Sequence, residues 1–288
     1  MRQPDPLTRL RQPPATQVIA ISGGKGGVGK TALTVNLGAA LAQGGKRVLL
    51  LDGDLGMANI DVQLGLTPRH TLQHVLSGER TLAEIIQPVN EHLHVVPGAS
   101  GVAHMARLGG AEHAAIVQAF ATLPQAFDTL LVDTAAGIGE QVLQLASAAA
   151  HVLIVLCDEP ASLTDAYGLI KVLSRDRGVR RFQVLANRVG AGEGGEALFR
   201  RLQKVTDRYL DAQLQYAGEV PEDPLLIKAV RSQRAVVQAY PGSPAARALA
   251  RLATRIDDWQ LPAAASGRIE FFFERLHAQR ARRLQVVK

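Results

Sequence analysis

Short apolar runs alternate along the chain with longer stretches whose apolar residues recur at helical spacing. The runs Gln17–Ser22, Arg47–Leu51, Leu93–Val96, Thr129–Val132, His151–Leu156 and Phe182–Ala186 predict strands, and Leu214–Gly218 predicts a seventh. They are nearly continuous rather than alternating, as expected of strands buried on both faces. The stretches Lys30–Gln43, Ala111–Leu123, Gln141–Ala149, Leu163–Ser174, Glu196–Leu210 and Ala245–Asp258 predict helices. Strands that alternate with helices imply an α/β fold: a mostly parallel, twisted sheet with helices on both faces.

Two segments fall outside that rhythm. Residues 1–16 form a polar, proline-bearing leader, and 261–267 a linker rich in alanine ahead of a last helix over 268–288. The intervening 17–260 are expected to form one domain. At 288 residues, 47% hydrophobic and 20% charged, the chain has ample material for a core. No apolar run reaches the roughly 18 residues that span a bilayer, and the leader lacks a secretory apolar stretch. The single cysteine, Cys157, excludes an internal disulfide and fits a reducing cytoplasm.

The net charge of +6 is carried by the ends. The tail from Arg268 holds six basic residues against two acidic ones, and residues 1–14 hold three against one. The part between is formally neutral. That distribution marks the ends as interaction elements and argues against a basic nucleic-acid-binding face.

The first strand runs straight into Gly24-Lys25-Gly26-Gly27-Val28-Gly29-Lys30-Thr31, and a helix follows from Lys30. Strand, glycine loop and helix form the setting of a phosphate-binding P-loop. Glycines let backbone N–H groups approach phosphate oxygens. The N-terminus of the helix, at Lys30, Thr31 and Ala32, adds partial positive charge. Lys30 supplies a full charge to the β and γ phosphates, and Thr31 a hydroxyl to Mg²⁺. Lys25 adds a second cation to the loop, which suits a highly charged ligand.

Acids end two other strands: Asp52 and Asp54 after Leu49-Leu50-Leu51, and Asp133 after Leu130-Leu131-Val132. In an open α/β sheet, ligands sit beyond the carboxyl ends of strands. Asp133 is therefore expected to hold Mg²⁺ through water and Asp54 to lie near the metal. Asp52 either bonds within its loop or touches the metal shell. Two later strands end in polar loops, Asn187-Arg188 and Pro221-Glu222-Asp223. The Asn187 carboxamide offers a donor and an acceptor that suit adenine, and Arg188 can stack on a base. No Asn-Lys-x-Asp element supports guanine.

The pattern Lys25-Gly26-Gly27-Val28-Gly29-Lys30-Thr31 resembles the deviant Walker A, or signature-lysine, ATPases: the MinD, ParA and nitrogenase-iron-protein superfamily. The resemblance covers about 17–260. It implies ATP and ADP with Mg²⁺, a dimer in the ATP state, and Lys25 reaching the partner's nucleotide. It implies that Asp54 orients the attacking water, that Lys25, Lys30, Asp54 and Asp133 carry a slow ATPase stimulated by dimerisation or a partner, and that the two polar loops bracket adenine as its base pocket.

One cysteine is too few for a cluster-bearing iron protein, and no second phosphate loop follows. Gly53-Asp54-Leu55-Gly56-Met57-Ala58-Asn59-Ile60-Asp61-Val62, Asp133-Thr134-Ala135-Ala136-Gly137-Ile138-Gly139, Lys204-Val205-Thr206-Asp207-Arg208-Tyr209-Leu210 and Glu270-Phe271-Phe272-Phe273-Glu274-Arg275-Leu276 look like the flagellar-number regulators of the FlhG (FleN) branch. That branch implies control of flagellar number and placement, an FlhF-like GTPase partner and a FleQ-like transcription activator as target. A MinD-like division-site role and a ParA-like DNA-associated role are the alternatives. In the tail, Ile269, Phe272, Phe273 and Leu276 form an apolar stripe beside Arg275, Arg280, Arg282 and Arg283. Such a helix suits either an anionic membrane surface, at the pole of the cell, or docking on the core. The leader's Asp5-Pro6-Leu7-Thr8-Arg9-Leu10-Arg11 keeps part of the spacing of an FlhF-stimulating element.

Overall fold

The computed structural model describes residues 16–54, 59–97, 115, 117–120, 122–123, 126–190, 192 and 194–259. Residues 1–15 of the expected leader (1–16), the linker (261–267) and the tail segment, with Ile269, Phe272, Phe273 and Leu276, lie outside the described residues.

The first half of the chain folds as β1 (Gln17–Gly23), α1 (Lys30–Gln43), β2 (Val48–Gly53), α2 (Ile60–Gln63), α3 (Leu72–Leu76), α4 (Leu82–Ile85), β3 (Gln87–Pro88) and β4 (Leu93–Val96). The second half continues with β5 (Thr129–Ala136), α5 (Glu140–Ala148), β6 (His151–Leu156), α6 (Pro160–Arg177), β7 (Arg181–Val189) and α7 (Gly194–Tyr209). It closes with β8 (Gln213–Pro221), α8 (Pro224–Arg231), α9 (Val236–Ala239) and α10 (Pro244–Ile256). Of the helix expected over Ala111–Leu123, residues 115 and 117–120 are described as helical.

The eight strands form one sheet in the order β3-β4-β2-β5-β1-β6-β7-β8. Every pairing is parallel except β3 with β4. The chain winds outward from central β1 on one side and then on the other, so a crevice opens at the carboxyl end of β1. Burial on both faces explains the unbroken apolar runs. In β1, Val18 and Ala20 enter one core cluster, with Ala146 of α5, Leu169 of α6 and Leu202 of α7. Ile19 and Ile21 enter the other, with Leu37 of α1 and Leu249 of α10. Among the described residues no helix is long and apolar enough to cross a membrane.

Candidate functional site

The carboxyl ends of β1, β2 and β5 bring the predicted phosphate and metal residues to one crevice. Register alone places Asp52 of β2 beside Asp133 of β5, and Asp133 beside Ile21 of β1. The glycine loop begins at the same level, since β1 ends at Gly23.

Two glycines of that loop are fixed by what lies against them. Gly29 caps α1 at φ 90°, a left-handed value that favours glycine. A Cβ there would stand 2.5 Å from Nδ2 of Asn187. A Cβ on Gly24 would stand 2.2 Å from the carbonyl of Asp165 on α6, so the loop lies directly against that helix. At Gly26 and Gly27 an added Cβ would meet nothing within 4 Å, leaving that stretch of backbone open to a ligand.

Lys30 is only 8% exposed. Burial lowers its pKa, and the charges of Asp133 and Asp54 push it back up. Its ammonium donates to the Lys25 carbonyl at 3.5 Å, a long and weak contact that a phosphate could replace. Lys25 points elsewhere. Its ammonium pairs with the carboxylate of Glu159, the N-cap residue of α6, and both side chains are more than a third exposed. Their mutual hydrogen bond raises the pKa of Lys25 and lowers that of Glu159.

Asp133 is 1% exposed. Burial pushes its carboxyl up to about 7, against a hydrogen bond from Thr31 and the charge of Lys30. Thr34 approaches one of its oxygens at 3.4 Å. Asp52 is equally buried but fully occupied. It accepts N–H groups from Asp54 (3.0 Å), Asn59 (2.7 Å) and Ile60 (3.0 Å), and so holds the start of α2. Of the two roles left open for it, the loop bond is the one its geometry serves. Asp54, next in the chain but one, is half-buried at the mouth of the crevice. The loop after β5 joins the same centre: Gly137 N–H bonds Gly23 carbonyl at 3.1 Å, and Gln141 of α5 donates to the Gly53 carbonyl.

The base-pocket candidates are tied to the phosphate loop. Buried Asn187 donates to the Val28 carbonyl at 2.8 Å, which uses one of the two N–H donors of its carboxamide. Arg188 follows at φ 56°, strained for a non-glycine residue, and its guanidinium lies 3.4 Å from the Gly27 carbonyl. Pro221 and Glu222 close the loop opposite, with Glu222 N–H bonded to the Val189 carbonyl at 2.9 Å. The Asp223 carboxylate is committed to the scaffold. It caps α8 through Leu225 N–H at 2.9 Å and holds the Ala245 N–H of α10 at 3.0 Å. Its contribution is the shape of the loop.

Sequence reasoning gave no role in the site to Glu159, Thr34 or Gln141. Glu159 stands 134 residues from Lys25, and no local pattern announces that contact.

Residues 16–180 match the AAA domain family. The chain is 52% identical over 260 residues to the antiactivator FleN of Pseudomonas aeruginosa, spanning 90% of this chain and 93% of that protein. It is 34% identical to the flagellum site-determining protein YlxH of Helicobacter pylori, over 78% and 76% of the two chains. Among solved structures, the Mg-ADP complex of the septum site-determining protein MinD from Pyrococcus horikoshii superposes with a TM-score of 0.68 at 29% identity. The match covers 84% of this chain and 96% of that one.

Proposed function

This chain belongs to the AAA-domain family of FleN- and MinD-type P-loop ATPases, and from that membership we propose that it is an ATP-dependent dimerisation switch controlling flagellar number and placement. The observation that carries the reading is the pair of lysines on one glycine loop. Lys30 is buried among Asp133 and Asp54, while Lys25 is turned out to the surface on Glu159. One lysine is thus built into the chain's own phosphate site, and the other is available to a second site.

The residues fit a Mg²⁺-nucleotide. The open backbone at Gly26 and Gly27 suits phosphate oxygens, and the buried Asp133 carboxyl, held up to about 7, would be favoured in its ionised form by a nearby dication. Bound Mg²⁺ would neutralise phosphate charge and be met by Thr31 directly and by Asp133 and Asp54 through water. The helix N-terminus at Lys30, Thr31 and Ala32 and the loop from Gly24 to Gly29 orient the phosphates, which is most of what phosphoryl transfer requires. Asp54 orients the attacking water. Asn187, Arg188, Pro221, Glu222 and Asp223 frame the adenine. Hydrolysis is slow and completed by Lys25 of the second copy, so ATP marks the dimer and ADP the monomer.

The 52% identity to an antiactivator over most of the chain supports the flagellar assignment over the division-site and DNA-segregation roles. By that resemblance the ATP dimer engages a FleQ-like activator and an FlhF-like GTPase in the cytoplasm, with the basic tail helix as a peripheral, polar membrane contact. Deleting 268–288 should abolish ATP-dependent sedimentation with anionic liposomes, and unchanged sedimentation removes that contact. The enzymatic reading is tested by phosphate release. Wild-type protein should release phosphate slowly, and Asp54→Ala should bind ATP while releasing far less. Equal release by the variant would remove the role given to Asp54.

A further inference from the structure

The edge strand β8 borders a cleft of about 270 Å³ that lies apart from the phosphate crevice. Its walls carry opposite charges. Glu196, in the first turn of α7, and Glu219 of β8 form one side; Arg251 and Arg255, one helical turn apart on α10, form the other. Buried Leu185 and Ala217 also line it.

No ion pair joins either acid to Arg251 or Arg255 among the described residues. Three of the four are instead held by other bonds. Glu219 accepts the Gly195 N–H at 2.7 Å and the Tyr216 hydroxyl at 3.3 Å. Arg255 donates to the Ala217 carbonyl at 3.3 Å, at the point where the β7–β8 register shifts. Glu196 takes Arg200 of its own helix. Gly218, at φ 133°, leaves the cleft open: a Cβ there would meet only the Arg255 guanidinium, at 3.5 Å. The Tyr216 hydroxyl senses both walls. Burial and the charges of Glu219 and Glu196 raise its pKa, and Arg255 opposes them.

We propose that this cleft binds a small zwitterion of the amino-acid or dipeptide class, its ammonium on Glu196 and Glu219 and its carboxylate on Arg251 and Arg255. The argument is geometric. Two acidic and two basic side chains that line one cleft without pairing across it are complementary to a ligand that carries both charges at a distance. A simple anion or cation contacts only one of the two walls. Such an effector would sit on β8 just before Pro221, beside the base loop.

The test titrates glycylglycine and L-lysine into the full chain by ligand-observed saturation-transfer NMR, with sodium acetate and ethylammonium chloride as single-charge probes. At least one zwitterion should bind saturably, and both single-charge probes more weakly. Arg251→Gln and Glu196→Gln, both at exposed positions, should each weaken binding by about tenfold, the loss of one charged hydrogen bond. ADP binding by both variants should match wild type, which establishes that they are folded and that the phosphate site is a separate matter. The proposal is overturned if neither zwitterion binds saturably, if acetate or ethylammonium binds as well, or if both folded variants keep full affinity.

Discussion

Asn187 donates to the carbonyl of Val28 at 2.8 Å, and its Nδ2 occupies the space that a side chain at Gly29 would need. The base loop and the phosphate loop are thus one unit. Asn187→Ala leaves a buried carbonyl unpaired and frees the turn that orients the N-terminus of α1. Affinity for a fluorescent ADP analogue should fall by about tenfold, the scale of one buried hydrogen bond. Gly29→Ala forces both a clash and an unfavourable φ, and binding should be lost while the far-ultraviolet circular dichroism stays native. Wild-type affinity in either variant contradicts the coupling.

Asp52, whose sequence position left both a loop bond and the metal shell open, acts as a clamp in the structure. Its three N–H bonds hold the start of α2, just past the loop that carries Asp54. Asp52→Ala strands those donors and should cost about 1–3 kcal/mol in urea unfolding. Its phosphate-release rate should fall less than that of Asp54→Ala, because Asp54 itself remains.

Asp133 gives the nucleotide-free protein a pH dependence of definite sign. Its folded pKa of about 7 lies above the ordinary 3.8. Between those values the folded state binds more protons than the unfolded one, so this group's contribution to stability declines as pH rises from about 4 to 7. Asp133→Asn removes the penalty. Its melting temperature without nucleotide should exceed that of wild type at pH 8, and the gap should narrow toward pH 4. A gap that widens on acidification contradicts the assignment. Mg²⁺ should stabilise nucleotide-bound wild type and not the variant.

The strands were legible because both faces of the sheet are covered, which leaves runs such as Val18–Ile21 and Leu49–Leu51 wholly apolar. Helix α1 was legible at both ends, from the P-loop lysine to the glycine pair after Gln43. The short helices were not. With 4 or 5 residues each, α2, α3 and α4 are too short for a helical period to register. Capping signals were nevertheless present: Thr81 with Glu84 forms a capping box, and Asp223 before Pro224 starts α8. The two-residue β3, ending in Pro88, carries no strand pattern. In the candidate site, the glycine loop pointed to Lys30 and residue types at strand ends to Asp54 and Asp133, and the sheet topology alone brings those ends together. Whether Asp52 met metal or backbone depended on where the chain returned at Asn59 and Ile60. The Lys25–Glu159 pair depended on α6 abutting the loop at Gly24.

The central claim, that Lys25 serves a second copy of the chain, is tested most directly by the molar mass of the protein with a non-hydrolysable ATP analogue and Mg²⁺. Size exclusion with light scattering should give a dimer for wild type and a monomer for Lys25→Ala, with both binding the analogue. Lys30→Ala should fail to bind it at all. A Lys25→Ala dimer as stable as wild type, or a wild-type chain that stays monomeric when saturated with the analogue, would contradict the account.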